Sequence, residues 1–213
     1  MKQIIEAGHT PNSPGAIGYD NITEYTRNKD LQKRVLKWLE YFKINAEGLQ
    51  GSTMGIAGID KALNEVVRKL NTKPKGSRFV SIHFNNNFHN ATGTEVFVSP
   101  HTSQLNIKRA EWIAKNIADV LNIPIRREYN SRNYKYSHEA NLGRLAIIDD
   151  TKLAGVLVEV CFLNDIDIPK YIGNQDKIAY VLALALMHGF QDAEPEYSAR
   201  HYEKLERIKF TNF

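Results

Sequence analysis

Four side chains able to bind a metal or move a proton stand out in this sequence: His9, Glu24, His83 and Glu159. Three of them sit where an apolar run gives out. His9 follows Lys2-Gln3-Ile4-Ile5-Glu6-Ala7-Gly8, His83 ends Phe79-Val80-Ser81-Ile82, and Glu159 follows Gly155-Val156-Leu157-Val158. In an open α/β sheet, ligands bind beyond the carboxyl ends of the strands. Two imidazoles and a carboxylate delivered there can hold a zinc ion and leave a fourth position for water. A further carboxylate can then carry the proton, so the chemistry to test is metal-assisted hydrolysis.

Each residue also has a plainer reading. His9, in Gly8-His9-Thr10, reads by default as an imidazole bonded to its own turn. Glu24 falls third after Asn21, where a capping carboxylate would reach back to a backbone N–H; cap and ligand are equal readings on local pattern alone. His83 is harder to dismiss, because its Phe, Val and Ile neighbours imply a buried strand and a buried imidazole must find a partner. Glu159 lies within Leu157-Val158-Glu159-Val160-Cys161-Phe162-Leu163, the pattern of a strand buried on both faces. An unpaired carboxylate is costly there, which favours a functional role. Burial raises its pKa toward neutrality, as a general base and acid requires.

The elements that must position these groups alternate between strand and helix. After the first strand, Thr10 to Asp20 is a turn-rich loop broken by Pro11, Pro14, Gly15 and Gly18. A helix starting near Asn21 carries Leu31, Val35, Leu39 and Phe42 on one face, and a short strand is expected between Phe42 and Leu49. Gly51 to Gly55 reads as a loop, and Ile59, Leu63, Val66, Val67 and Leu70 mark a second amphipathic helix. Strands at Phe79 to His83 and Thr94 to Val98 flank a polar loop from Asn85 to Gly93. A helix from Leu105 to Leu121, strands at Leu145 to Ile148 and Gly155 to Val160, and a helix through Ile178 and Leu186 stopped by Gly189 complete the pattern.

This order predicts an α/β fold: a single domain with a mostly parallel twisted sheet and helices on both faces. A chain of 213 residues fits one core. Residues 1–191 are expected to form the catalytic domain, with the charged and aromatic stretch 192–213 as an extension packed on it or trailing from it.

The hydrophobic fraction of 42% and the net charge of +4 fit a globular protein with a mild preference for anionic partners. Cys161 is alone, which excludes an intrachain disulfide and a thiolate-based structural zinc site; its apolar neighbours make it a packing residue. No apolar run suits a signal peptide or a transmembrane helix, so synthesis in the cytoplasm without a signal peptide is expected. Arg126, Arg127, Arg132 and Lys135 interleave with Tyr129, Tyr134 and Tyr136. Such a stretch can bind single-stranded nucleic acid, but a solvated loop is the simpler reading and no nucleic-acid partner is expected. His89, His101, His138, His188 and His201 lack a comparable strand-end setting and read mostly as surface or helix residues.

The segments Ile4-Ile5-Glu6-Ala7-Gly8-His9, Pro14-Gly15-Ala16-Ile17-Gly18 and Ile22-Thr23-Glu24 resemble the opening of zinc-dependent N-acetylmuramoyl-L-alanine amidases of the amidase-3 family. Ser81-Ile82-His83-Phe84-Asn85 resembles that family's central histidine motif, and Gly93-Thr94-Glu95-Val96-Phe97 the strand after it. Val156 through Asn164 is similar to its final catalytic segment. The resemblance runs in order from near residue 4 to about residue 190. It implies that His9, Glu24 and His83 bind one zinc ion and that Glu159 is the catalytic acid/base, which favours the ligand reading of Glu24. It implies peptidoglycan as substrate, cleaved between N-acetylmuramic acid and L-alanine, in a phage endolysin-like enzyme acting on the bacterial cell wall. Two departures are visible: Thr10 replaces the glycine that usually follows the first histidine, and Phe84 to Ala91 is rich in asparagine. Another zinc peptidoglycan peptidase and a non-catalytic wall-binding module are the alternatives.

Overall fold

The apolar runs of the sequence build a six-stranded sheet with helices packed against it. A computed structural model describes residues 1–51, 59–86, 90–126, 132–140, 143–190 and 202–203. Most of the loop read after Gly51, together with His89, Arg127, Tyr129, His201 and nearly all of the 192–213 extension, lies outside the described residues. The elements in chain order are β1 (Gln3–Ala7), α1 (Glu24–Tyr41), β2 (Ala46–Leu49), α2 (Ile59–Asn71), β3 (Arg78–Asn85) and β4 (Glu95–Val98). They continue with α3 (Gln104–Leu121), β5 (Lys135–Tyr136), α4 (Ala146–Asp149), β6 (Ala154–Phe162), α5 (Ile168–Ile172) and α6 (Gln175–Met187). The strands lie in the order β2-β1-β3-β6-β4-β5, and among the described residues β4–β6 is the only antiparallel strand pair, so the sheet is mostly parallel.

Side chains alternate across the pleat, and this divides the core in two. Ile5, Val80, Ile82, Val96, Val156, Val158 and Val160 pack with α1, α3 and α6. Ile4, Phe79, Phe97 and Leu157 pack on the other face with Val66 and Leu70 of α2 and Ile147 and Ile148 of α4. Helices therefore cover both faces, as the alternating pattern requires. The second face is the one that matters for chemistry. Toward the carboxyl ends of the parallel strands its apolar layer gives way to Glu6, Ser81, His83 and Glu159, each at the same two-residue spacing. Glu95 joins this row because β4 runs against β6 and pairs Glu95 with Glu159.

Three local expectations are corrected. Leu145 to Ile148 is not a strand: Ala146–Asp149 form a helical turn, with the Leu145 N–H bonded to the Asp149 carboxylate at 3.1 Å and the Thr151 hydroxyl bonded to the Ile147 carbonyl at 2.7 Å. Phe42 caps α1 rather than opening a strand, and β2 begins at Ala46. The basic-aromatic stretch is not wholly a solvated loop, since Lys135 and Tyr136 add an edge strand to β4 and Lys135 is buried. Cys161 is fully buried as expected, and burial pushes its thiol pKa up. His101, His138 and His188 are exposed. Tyr202, from the extension, is buried with its ring 5.7 Å from Trp38 and 5.6 Å from Tyr180.

Candidate active site

His9 stands two residues beyond β1, in a left-handed conformation at φ 67°. The loop after it is pinned to the start of α1. The Glu24 N–H donates to the Ala16 carbonyl at 2.8 Å and the Tyr25 N–H to the Pro14 carbonyl at 2.9 Å. These bonds satisfy orphan donors of the helix terminus and draw His9 toward the first helical residue. Asn28, one turn further along α1, donates to the Gly8 carbonyl at 3.0 Å and fixes the other end of the turn.

Glu24 is the first residue of α1, and the cap is Thr23, whose hydroxyl accepts from the Thr26 N–H. The capping-box reading from Asn21 therefore fails, and the Glu24 carboxylate is free to point inward. Its Oε2 lies 3.0 Å from His9 Nε2, and its Oε1 lies 3.0 Å from His83 Nδ1. Oε1 also accepts the Phe84 N–H at 3.1 Å. Burial alone would raise the Glu24 pKa, but hydrogen bonds from both imidazoles and their positive charge outweigh it and hold the carboxyl well below its usual range. The converse holds at His83. Burial disfavours its charge, while the Glu24 bond and the charges of Glu159, Glu24 and Glu6 push its pKa up to about 9.

Two glycines make this approach possible. A Cβ on Gly8 would sit 2.2 Å from the His83 ring, and one on Gly15 would sit 2.5 Å from Glu24 Oε2 and 2.8 Å from the His9 ring. One potential ligand atom from each of His9, Glu24 and His83 falls within 4.8 Å of the others. Donors about 2.1 Å from a shared tetrahedral ion are separated by roughly 3.4 Å, so the set is compact enough for one cation. His9 Nδ1 is buried without a hydrogen-bond partner among the described residues. The ring is therefore held through Nε2, by Glu24, and not through Nδ1.

Glu159 pairs with His83 on the neighbouring strand and with Glu95 on the other side. Its Oε2 is shut off from solvent and has no hydrogen-bond partner among the described residues. Burial, reinforced by the nearby Glu24 and Glu95 charges and opposed by His83, pushes its pKa up to about 8. The structure thus brings the four sequence-read residues to one rim of the sheet.

A sequence profile of the N-acetylmuramoyl-L-alanine amidase family, amidase-3, matches residues 4–187. The chain belongs to this family. No curated protein sequence matches it significantly. Solved amidase structures share the fold. The catalytic domain of an endolysin targeting Clostridia difficile is 19% identical with a TM-score of 0.72, over 88% of this chain and 97% of that one. The CwlD amidase from Clostridioides difficile, solved in complex with the GerS lipoprotein, is 19% identical with a TM-score of 0.71, over 87% and 96%. The catalytic domain of CwlV from Bacillus (Paenibacillus) polymyxa var. colistinus is 22% identical with a TM-score of 0.66, over 87% and 96%.

Sequence reasoning on this amidase-family chain passed over the polar residues around the four. Glu6 is buried and accepts from the Ser81 hydroxyl at 2.7 Å; burial raises its pKa. Glu95 is buried against the Lys135 ammonium at 2.6 Å, with Arg126 at 3.5 Å and the Asn85 amide also bonded to it. The signal for Glu6, Ser81 and Glu95 was their two-residue phase with His83 and Glu159. Lys135 had no local signal, because its partner lies 40 residues away.

Proposed function

We propose that this protein hydrolyses the amide bond between the lactyl group of N-acetylmuramic acid and L-alanine in peptidoglycan, using one zinc ion held by His9, Glu24 and His83. Glu159 serves as the catalytic acid and base. The observation that carries this reading is the convergence of two imidazoles and a carboxylate within 4.8 Å, beside a carboxyl whose pKa is pushed up to about 8. Family membership supports the substrate class. The donor set of two nitrogens and one oxygen suits zinc and is that of known catalytic sites with an open fourth position.

Bound there, zinc would acidify the attacking water and polarise the amide carbonyl. The protein's own part is positioning and proton transfer. Glu24 accepts from the Phe84 N–H and lies between the rings, so the ligands are oriented before any ion arrives. Glu159 takes the proton of the water and returns it to the alanine nitrogen as the C–N bond breaks. An amide nitrogen leaves poorly unless protonated, so the same group must act in both directions. A pKa near neutrality keeps both its forms accessible. Lys135 offsets the Glu95 charge, which keeps the carboxylate across the strand pair from adding its full repulsion at Glu159.

The same reading makes the protein a wall-lysing enzyme of endolysin type, acting on the cell wall of a bacterium. Purified peptidoglycan digested with the protein and analysed by mass spectrometry tests it. The expected result is new L-alanine amino termini and intact free lactyl groups, lost in Glu159→Gln by about 10²–10⁴-fold and lost on chelation. New amino termini within the stem peptide would instead make it a peptidase, and binding without turnover would make it a wall-binding module.

A further inference from the structure

A second charged feature lies at the opposite end of the sheet. A cavity of about 570 Å³ opens beside the first residues of β3 and β6 and the start of α3. His83 lies five steps along β3 from Arg78, so the cavity is about 16 Å from the candidate active site along the strand. The charged side chains lining it are Lys73, Lys75, Arg78, Arg109 and Lys152, with no acid among them. Lys73 is paired with Glu47. The other four have no carboxylate partner among the described residues.

Arg109 is the informative one, because it is only 2% exposed. Its Nε donates to the Ala185 carbonyl at 3.0 Å and one Nη to the Asn106 side chain at 2.5 Å. Arg78 donates to the His188 carbonyl at 2.8 Å. The plain reading is that both arginines cap the end of α6. A helix C-terminus offers about half a negative charge, which cannot balance two guanidinium groups. Burial and the neighbouring Arg78 charge both push the Arg109 pKa down, the mark of positive charge left uncompensated. The amino end of α3, an 18-residue helix capped by Ser103, adds further positive potential at the same wall.

We propose that this cavity binds a phosphate-bearing ligand, gripped by the free donors of Arg78 and Arg109 and by Lys75 and Lys152 at its mouth. Guanidinium forks match phosphate oxygens in pairs, and the volume lies in the range of small-ligand sites, about 300–1,000 Å³. The site is independent of the amide chemistry and does not rest on that assignment.

Inorganic phosphate titrated into the full chain by calorimetry, at constant ionic strength and with chloride as reference, tests this. One saturable site is expected. Lys75→Glu and Lys152→Glu, both exposed positions that leave the fold undisturbed, each weaken binding by about tenfold. Lys115→Glu, an exposed position further along α3 with the same change in net charge, leaves binding unchanged. Arg109→Gln abolishes it where circular dichroism and unfolding remain those of the parent. Glycerol 3-phosphate and poly(glycerol phosphate) then separate the two sources of the group: tighter binding of the first indicates a free monoester, tighter binding of the second a phosphodiester polymer. Absence of saturable phosphate binding, or equal weakening by Lys115→Glu, overturns the proposal.

Discussion

Replacing Glu159 by glutamine in the metal-free protein tests the energetic cost of a carboxyl whose Oε2 is closed off from solvent. The folded state holds a proton on Glu159 up to about pH 8, whereas an unperturbed glutamate side chain gives it up near 4.5. Between those values the folded chain binds one more proton than the unfolded chain, so stability falls as pH rises, by about 1.4 kcal/mol per pH unit. Over the whole window the upper limit is roughly 5 kcal/mol, and relaxation with water entry lowers it to about 2–3 kcal/mol. His83 acts in the same direction: its raised pKa favours the folded state below 6.5, and that contribution is lost as pH rises to about 9. The two groups share one interaction, so Glu159→Gln removes the Glu159 slope together with the part of the His83 slope that the ionised Glu159 supplies above about pH 8. Urea unfolding in the presence of chelator, from pH 5 to 9, is the assay. Wild-type protein is expected to lose about 2–3 kcal/mol relative to the variant across that range. Parallel pH profiles would refute the claim that this carboxyl is buried beside His83.

Two further substitutions test the frame of the site. Gly8→Ala drives a Cβ to 2.2 Å from the His83 ring and is expected to cost about 1–3 kcal/mol and to weaken metal binding, both read by unfolding with and without zinc; a neutral effect would mean that Gly8 does not admit the ring. Lys135→Met strips the 2.6 Å ion pair from buried Glu95 and is expected to cost about 3–5 kcal/mol, most of it recovered in the double variant with Glu95→Met; additive losses in thermal unfolding would contradict the pairing.

Much of this architecture was legible because long amphipathic and apolar runs leave few choices. The Leu105 to Leu121 pattern can bury one face only as a helix, and Ser103 supplies the cap that starts it. Val156 to Cys161 can be buried on both faces only in the middle of a sheet, where β6 lies. Leu145 to Ile148 is too short for periodicity to choose, and packing of Ile147 and Ile148 against α2 decides for a helical turn. In the site, His83 and Glu159 declared themselves by polarity inside apolar strands. Glu24 did not, because its role depends on where α1 begins, and moving the cap from Asn21 to Thr23 turns the carboxylate from the helix end to the imidazoles. Lys135 was misread because local composition records charge but not the distant acid that buries it.

Equilibrium zinc binding tests the central claim most directly. Metal-stripped protein titrated with zinc should take up one ion per chain. His9→Ala, Glu24→Ala and His83→Ala should each weaken uptake beyond the roughly 10–100-fold expected for loss of an outer-shell partner. Glu159→Gln should keep the ion. Unchanged affinity in His83→Ala, or full hydrolysis of peptidoglycan by metal-free protein, would contradict the account.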